Sequence, residues 1–305
     1  MKPKNILFIG MGAIGSLYAS KCVSNTVEIS CVARSDKDEI QKKGIRIIHP
    51  NNDESIFYPK EVFSSIKDVN NQPDYIVITT KVLPNQSLVQ DIKPLIGKQT
   101  CLVLLQNGIH IETAYQHMYP DTPLISGLAF VCVAKIAPAT IHHQDYGRLI
   151  LGLYPQGTHK YVTEFAAIFD SSDISCKVSD TIQLERYKKL IWNAPFNPLS
   201  VIYKGKTTQE LLADKVIKER IIAIMKDVQR LAASDGYKIS DDSIKKNIDD
   251  TLTMKPYKTS MCLDWEAGRP LETDAILGNA IQRANDNQCD IPELRLLYDE
   301  LKIKS

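Results

Sequence analysis

The apolar positions in the first half of the chain form short continuous runs separated by segments of helical periodicity. The predicted strands lie at residues 5–9, 27–33, 75–80, 100–105, 122–133, 139–143, 148–153 and 175–178. The predicted helices of this half lie at residues 13–24, 85–94 and 161–170. Continuous apolar strands that alternate with helices are typical of a mostly parallel sheet covered on both faces.

Helical patterns dominate from about residue 181 onward. They lie at residues 182–193, 208–236, 240–253, 273–287 and 292–303. Gly236 is a natural helix stop, and Ser240 is a natural N-cap because two aspartates follow it in the first turn. The sequence therefore predicts an α/β protein, with a doubly wound sheet in residues 1–179 and an all-helical domain in residues 180–305.

Composition and charge exclude several classes of protein. The 305 residues suffice for two domains of roughly 150 residues each. The chain has 37 Lys+Arg and 36 Asp+Glu, a net charge of +1, so nothing favours nucleic acid or an anionic membrane as a partner. No apolar run approaches the length of a bilayer span, and no signal peptide pattern precedes the first strand. We expect a cytoplasmic protein.

The cysteines and histidines argue against a disulfide framework and against a metal site. The seven cysteines are an odd number without a C-x-x-C pair, and several lie in apolar runs, so we expect reduced core thiols. The six histidines have none of the spacings of zinc ligands, so we expect no metal.

A glycine-rich motif directly follows the first strand and opens the first helix. It consists of Gly10, Met11, Gly12, Ala13, Ile14 and Gly15. In such a G-x-G-x-x-G turn the first glycine allows the tight turn, the second lets a pyrophosphate approach, and the third lets the helix pack on the strand. The helix N-terminus then offers amides to the phosphates. The context predicts a dinucleotide site of the Rossmann type; a purely structural turn is the alternative.

The end of the second strand favours NADP. Arg34 lies nineteen residues after Gly15, where an NAD site has a carboxylate, and a guanidinium binds a 2′-phosphate with parallel hydrogen bonds. Asp36 would oppose this if the turn brought its side chain back, and a solvated surface arginine is the alternative. Lys81 and Asn107 follow the third and fourth predicted strands, at the edge where ligands bind.

A helix in the second half carries the candidate chemistry. Lys189, Asn193 and Asn197 are spaced by four residues and share one face of an otherwise apolar segment. A buried lysine and two buried amides need polar partners. The alternative is a lysine that reaches solvent, with asparagines at a broken helix end.

These motifs resemble the ketopantoate reductase (2-dehydropantoate 2-reductase) family over essentially the whole chain. The matching residues are Gly10-x-Gly12-x-x-Gly15, Arg34, Lys81, Gln106-Asn107-Gly108, Lys189/Asn193/Asn197-Pro198, Thr259-Ser260-Met261 and Arg269-Pro270-Leu271-Glu272-Thr273-Asp274. The resemblance implies an N-terminal Rossmann domain and a helical C-terminal domain with the active site in the cleft between them. It also implies NADPH-dependent reduction of ketopantoate to (R)-pantoate in pantothenate and coenzyme A biosynthesis.

The resemblance also assigns roles to single residues. It implies that Lys189 is the general acid toward the keto oxygen and that Glu272 binds the substrate hydroxyl and lies at the cofactor. It places Asn193, Asn197 and Ser260 at the substrate and Asn107 at both substrate and cofactor. It assigns Arg34 and Lys81 to the 2′-phosphate.

Two departures bear on the substrate. Tyr257 stands where family members often have asparagine, and Pro195 falls inside the Lys–Asn–Asn helix, which we expect it to kink. Three hypotheses therefore stand: ketopantoate reductase, an NADPH-dependent reductase of another 2-keto acid, and a non-catalytic NADP-binding sensor. Retention of Lys189 and Glu272 argues against the sensor. The sequence does not decide the oligomeric state, and a homodimer is retained as a hypothesis.

Overall fold

The computed structural model describes residues 3–22, 26–84 and 87–304. The chain divides into two units by its internal contacts. The first comprises Met1–Lys81, Gln86–Gln106 and Glu112–Ile182, and the second comprises Val82–Asn85, Asn107–Ile111 and Gln183–Ser305. The two short segments that follow strands of the first unit thus belong with the helices of the second.

The first unit is built on one sheet. Within the described residues its strands are β1 (Lys4–Ile9), β2 (Val27–Val32), β3 (Ile45–Ile48), β4 (Glu54–Phe57), β5 (Glu61–Phe63), β6 (Tyr75–Ile78), β7 (Cys101–Leu104), β8 (Leu124–Ala137), β9 (Thr140–Leu153) and β10 (Cys176–Val178). Their order is β4-β3-β9-β8-β7-β6-β1-β2-β5, and β10 pairs with β9. The pairs β1–β2, β1–β6, β6–β7 and β7–β8 are parallel.

Helices cover this sheet and make up most of the second unit. Those of the first unit are α1 (Ala13–Lys21), α2 (Lys37–Lys43), α3 (Leu88–Asp91), α4 (Thr113–Met118) and α5 (Lys160–Ala167). Then follow α6 (Ile182–Ile202), α7 (Thr208–Ala213), α8 (Lys215–Ser234), α9 (Asp241–Thr253), α10 (Ser260–Glu266), α11 (Asn279–Asp286) and α12 (Pro292–Lys304). The predicted fold class, a Rossmann-like sheet followed by a helical region, is confirmed. No helix among the described residues is both long enough and apolar enough to span a bilayer.

The central strands are buried on both faces, as their sequences predict. All four residues of β6 and of β7 are buried, and Phe8, Val77 and Val103 lie in one apolar core beneath the helices. The predicted end of the first helix at Ser24 and the start of the segment at 85–94 lie outside the described residues.

Several expected elements differ from the structure. The segments 139–143 and 148–153 form one strand, β9, which pairs antiparallel with β8 through several register shifts. A single strand was not predicted here because exposed polar residues separate the two apolar runs. The predicted helix 208–236 is broken at Asp214, whose carboxylate accepts the amides of Val216 and Ile217 at 2.9 and 3.1 Å and so caps a new helix.

The second unit has its own apolar core. Leu190, Phe196 and Leu199 of α6 are buried in it together with side chains from α8 and α12. Helix α6 runs through both Pro195 and Pro198 as one element of 21 residues. Each proline nitrogen lacks the hydrogen that a helical hydrogen bond requires. Burial of the apolar side chains of α6 offsets the free energy lost with these two hydrogen bonds.

Candidate active site

The glycine motif of the first unit has the geometry that a dinucleotide turn requires. Gly10 has a φ of 102°, and a Cβ on Gly15 would lie 2.1 Å from the Gly10 carbonyl oxygen. A Cβ on Gly12 would meet no atom within 4 Å, and no side chain caps α1. Gly10 and Gly15 therefore allow close backbone packing, while Gly12 leaves open space in front of the free amides of α1. These residues fit a bound pyrophosphate.

The residues after β2 fit a 2′-phosphorylated nucleotide. Arg34 is exposed and makes no ion pair with another described residue. Asp36, by contrast, is 6% exposed, and its carboxylate binds the Lys135 ammonium at 2.5 Å and the Ala139 amide at 2.8 Å. The Ala139, Lys135 and Ser35 hydrogen bonds outweigh burial and lower its pKa. The Asp36 carboxylate, which would oppose binding of a 2′-phosphate, is therefore already bound to Lys135 of β8 and to Ala139 in the turn that follows.

The ends of β1 and β6 pack tightly beside the glycine turn. The Thr79 hydroxyl donates to the Gly10 carbonyl at 2.5 Å, and a Cβ on Gly10 would lie 2.7 Å from the Thr80 methyl group. The Gln106 amide donates to the Thr80 carbonyl at 2.6 Å. Lys81, which follows Thr80, is half-buried at this carboxyl edge of the sheet. The structure thus places Lys81 at the edge where the sequence predicted a cofactor contact.

In the second unit, the segment Asn107–Ile111 is fixed by hydrogen bonds to helical residues. The Ile109 amide donates to the Ala275 carbonyl at 3.1 Å, and the Asn279 amide donates to the Ile109 carbonyl at 2.8 Å. Gly108 has a φ of 107°, and a Cβ there would lie 2.5 Å from the Ala275 carbonyl oxygen. Asn107 is therefore carried by an ordered turn.

Lys189 and Asn107, 82 residues apart in sequence, make a direct contact. The Lys189 ammonium donates to Asn107 Oδ1 at 2.9 Å. Burial of the ammonium lowers the pKa of Lys189 to about 7, with a further decrease from the like charge of Arg186 and an opposing effect from Glu272. A lysine with this pKa holds or releases a proton near neutral pH, as a general acid must.

Glu272 lies on the segment that leads into a π-helical turn at Asp274–Gly278. Its Oε1 accepts the Val82 backbone amide at 2.9 Å, and its charge acts on Lys189. The residue is half-buried. Glu272 therefore belongs to the same group of polar residues as Lys189 and Asn107.

The two asparagines of α6 are buried but make no side-chain hydrogen bond with the rest of the described chain. Asn193 and Asn197 are 7% and 2% exposed, one and two turns after Lys189. Nearly buried amides without protein partners are suited to bind a polar ligand. Ser260 is exposed at the start of α10, and the neighbouring Thr259 hydroxyl lies 2.8 Å from the Ser200 hydroxyl of α6. The hydrogen bond between these hydroxyls ties the start of α10 to α6.

Two groups at this site, Arg186 and the Val82 backbone amide, were not predicted from the sequence. Arg186 is 1% exposed, and its guanidinium donates to the Gly108 carbonyl at 2.9 Å. The signal for Arg186 was its position three residues before Lys189 in the same apolar helix. No sequence signal marks a backbone amide such as that of Val82.

Together these groups can bind a small anionic carbonyl compound and protonate its oxygen. The Lys189 ammonium supplies a proton donor, and uncharged amides and a hydroxyl supply hydrogen bonds without further charge. In the first unit, the amides at the glycine turn and the Arg34 guanidinium have the chemistry to bind phosphate groups.

Comparison with known proteins assigns the chain to a family. Residues 6–156 match the family model "Ketopantoate reductase PanE/ApbA", and residues 181–305 match "Ketopantoate reductase PanE/ApbA C terminal". A 2-dehydropantoate 2-reductase of Nostoc sp. is 31% identical over 99% of this chain and 95% of that protein.

Solved structures agree with this assignment. The crystal structure of 2-dehydropantoate 2-reductase from Methylococcus capsulatus has a TM-score of 0.91 and 38% identity, and the match covers 98% of this chain and 96% of that one. A D-mandelate dehydrogenase with NADH and anilino(oxo)acetate shares the fold, with a TM-score of 0.88, 21% identity and 98% of each chain covered. The resemblance found in the motifs is confirmed, and the chain belongs to the ketopantoate reductase family.

Proposed function

We propose that this protein is an NADPH-dependent 2-dehydropantoate 2-reductase, which reduces ketopantoate to (R)-pantoate on the route to pantothenate and coenzyme A. The observation that carries the proposal is the Lys189 ammonium, bonded to Asn107 and with a pKa of about 7, on the helix that also presents Asn193 and Asn197. Family membership supports an oxidoreductase, and the Nostoc relative bears the name of this activity.

The cofactor proposal is NADPH, held by residues 1–179. The six residues Gly10 to Gly15 would hold the pyrophosphate, and Arg34 and Lys81 would bind the 2′-phosphate. Asn107 and Glu272 are proposed to lie at the nicotinamide end. When bound, NADPH supplies a hydride to the keto carbon. The exposed Arg34 and the engaged carboxylate of Asp36 support NADPH over NADH.

Residues 180–305, together with Asn107, are proposed to supply the chemistry. Lys189 donates its proton from Nζ to the keto oxygen, where negative charge develops as the carbonyl is reduced. The Asn107 oxygen accepts a hydrogen bond from Lys189 and so aims the ammonium. Because its pKa is about 7, Lys189 carries this proton at neutral pH and below.

The remaining polar groups are proposed to bind the substrate. Asn193, Asn197 and Ser260 donate hydrogen bonds to the carboxylate and carbonyl, and Glu272 accepts one from the hydroxyl. Uncharged donors hold the carboxylate without adding a positive charge that would compete with Lys189. A cytoplasmic location and a homodimer are part of the proposal.

A second candidate, reduction of a different 2-keto acid, is favoured by Tyr257. This tyrosine replaces the asparagine frequent in the family, and its ring lies 6.3 Å from the half-buried Trp192 ring. Two aromatic rings favour an apolar or aromatic substituent. The solved D-mandelate dehydrogenase that shares the fold was determined with anilino(oxo)acetate, a 2-oxo carboxylate that carries a phenyl group.

A panel of 2-keto acids distinguishes these candidates. We expect rapid loss of reduced-nicotinamide absorbance with NADPH and ketopantoate and slower loss with unbranched or aryl 2-keto acids. Faster reduction of an aryl 2-keto acid would support the second candidate. Tight NADPH binding without turnover on any 2-keto acid would instead support a sensor and contradict both.

Changing Glu272 to glutamine should reduce the efficiency for ketopantoate but hardly affect a 2-keto acid that lacks the hydroxyl, when both are measured well below pH 7, where Lys189 is protonated in the wild type and in the variant. Glutamine keeps an oxygen for the Val82 amide but loses the charge that strengthens a bond to the substrate hydroxyl. The expected loss in kcat/KM for ketopantoate is about tenfold, from a charge-assisted hydrogen bond worth about 1.5 kcal/mol.

The pH profile of the same variant gives a separate readout. Since Glu272 raises the pKa of Lys189, its removal should shift the alkaline fall of kcat/KM to lower pH for both substrates. Equal losses on both substrates with an unchanged melting temperature would contradict hydroxyl binding and leave only the effect on Lys189.

A further inference from the structure

Arg186 is a fully buried cation in the second unit, one helical turn before Lys189. It is 1% exposed and lies in α6 between apolar residues that form the core. A buried guanidinium is costly unless its donors are satisfied, and one of them bonds the Gly108 carbonyl at 2.9 Å. A methionine of similar length would pack there without this cost. Its placement therefore calls for a role beyond packing.

The first contact of Arg186 fixes the turn that carries Asn107. Further along this turn, Ile109 bonds Ala275 and Asn279 through its backbone. The bond from Arg186 ends on the carbonyl of Gly108, the residue that follows Asn107, and it comes from the helix that carries Lys189. The bond from Arg186 thus fixes the position of the turn relative to α6, and the Lys189–Asn107 hydrogen bond forms between the same two segments.

The second effect of Arg186 is electrostatic. Arg186, from the same helix, and Glu272, from the segment before the π-helical turn, both act on the Lys189 ammonium through their charges. Arg186 disfavours the protonated lysine and Glu272 favours it. Burial of the ammonium is the largest cause of the lowered pKa of Lys189, and Arg186 lowers this pKa further while Glu272 opposes the shift. Lys189 is therefore a stronger acid than an ordinary lysine and donates more readily to a developing alkoxide.

We infer that Arg186 is a positioning residue for Lys189, which fixes the Asn107–Gly108 turn against α6 and places a permanent positive charge one turn from the ammonium. The inference rests on the proposed role of Lys189 as the proton donor. It assigns no contact with substrate or cofactor to Arg186.

The test measures the titration of Lys189 without requiring turnover. Trace acetylation with acetic anhydride modifies only the neutral amine, and peptide mass spectrometry follows its rate at Lys189 as a function of pH. The variants are Arg186→Gln, Arg186→Met and Arg186→Lys. Two neutral replacements of different shape are included because either one alone could fail to fold, and a lysine keeps the charge.

We expect the acetylation midpoint of Lys189 to rise by about one pH unit in the neutral variants and to stay near that of the wild type in Arg186→Lys. Where the wild type reduces a 2-keto acid, the alkaline limb of kcat/KM should move in parallel. The matched control is Arg220→Gln, which removes a partly buried arginine paired with Glu300, and it should leave the midpoint unchanged.

Two results would overturn the inference. One is an unchanged midpoint in a folded neutral variant whose melting temperature has fallen, as expected for a purely structural arginine. The other is a midpoint that moves as far in Arg186→Lys as in the neutral variants. A wild type without reductase activity would count against the proposed function, while the acetylation midpoint would still test Arg186.

Discussion

Replacing Lys189 with methionine should reduce turnover by about 10²–10⁴-fold, the usual range for a positioned proton donor, while NADPH still binds. Methionine matches the length of the lysine stem, so the core around α6 is preserved. The loss arises because the oxygen then acquires negative charge without a proton donor in place. Steady-state rates and an NADPH binding titration on the same preparation give both quantities.

The matched control for this variant is Lys188→Met, the neighbouring lysine, which is exposed and pairs with Glu185 at 2.9 Å. We expect wild-type turnover from it. In the wild-type enzyme, kcat/KM should fall as the pH rises above about 7, since Lys189 then loses its proton. Near-normal turnover in Lys189→Met, or an alkaline limb that survives the substitution, would show that another group donates the proton.

Replacing Arg34 with alanine should weaken NADPH binding by about 1.5–3 kcal/mol, the range for a hydrogen bond to a charged group, and leave NADH binding nearly unchanged. The selectivity arises because only NADPH carries the 2′-phosphate that the guanidinium binds. Asp36 does not substitute as a ribose ligand, because its carboxylate is held by Lys135 and Ala139. Titration of both reduced cofactors by fluorescence measures the difference.

An exposed lysine of α2, Lys42, provides the control for Arg34. The variant Lys42→Ala removes a positive charge from the exposed surface of α2. The affinities for NADPH and NADH should both stay close to those of the wild type, because a solvated surface charge has only a weak, screened effect. Equal weakening of NADPH and NADH in Arg34→Ala would show that Arg34 does not bind the 2′-phosphate.

The buried central strands and the glycine turn were predictable because each is fixed by local sequence. The apolar runs that became β1, β6 and β7 are short and continuous, as is typical of strands buried on both faces of a parallel sheet. The strands β3 to β5 were missed because they are short, lie toward the sheet edges and carry exposed residues. β3 and β4 form a local hairpin with each other, but the pairing of β3 with β9 and of β5 with β2 depends on contacts distant in sequence, which no local pattern encodes.

The candidate site was likewise predictable only where the local sequence determines the position of a residue. Lys189, Asn193 and Asn197 were found from helical spacing, but the bond from Lys189 to Asn107 spans 82 residues and could not be read from spacing. The side-chain contacts of Asp36 depend on β8 and the turn after it, and the position of Arg186 depends on the turn at Gly108. The roles of all these residues remain proposals for the experiments above.

The most direct test of the account is the product formed from ketopantoate and NADPH by the wild-type protein. We expect one (R)-pantoate for each NADPH oxidised, identified by mass spectrometry after chiral separation, and at least about a hundredfold less from the Lys189→Met variant in the same time. Oxidation of NADPH without pantoate, or pantoate formed equally fast by the variant, would contradict the account.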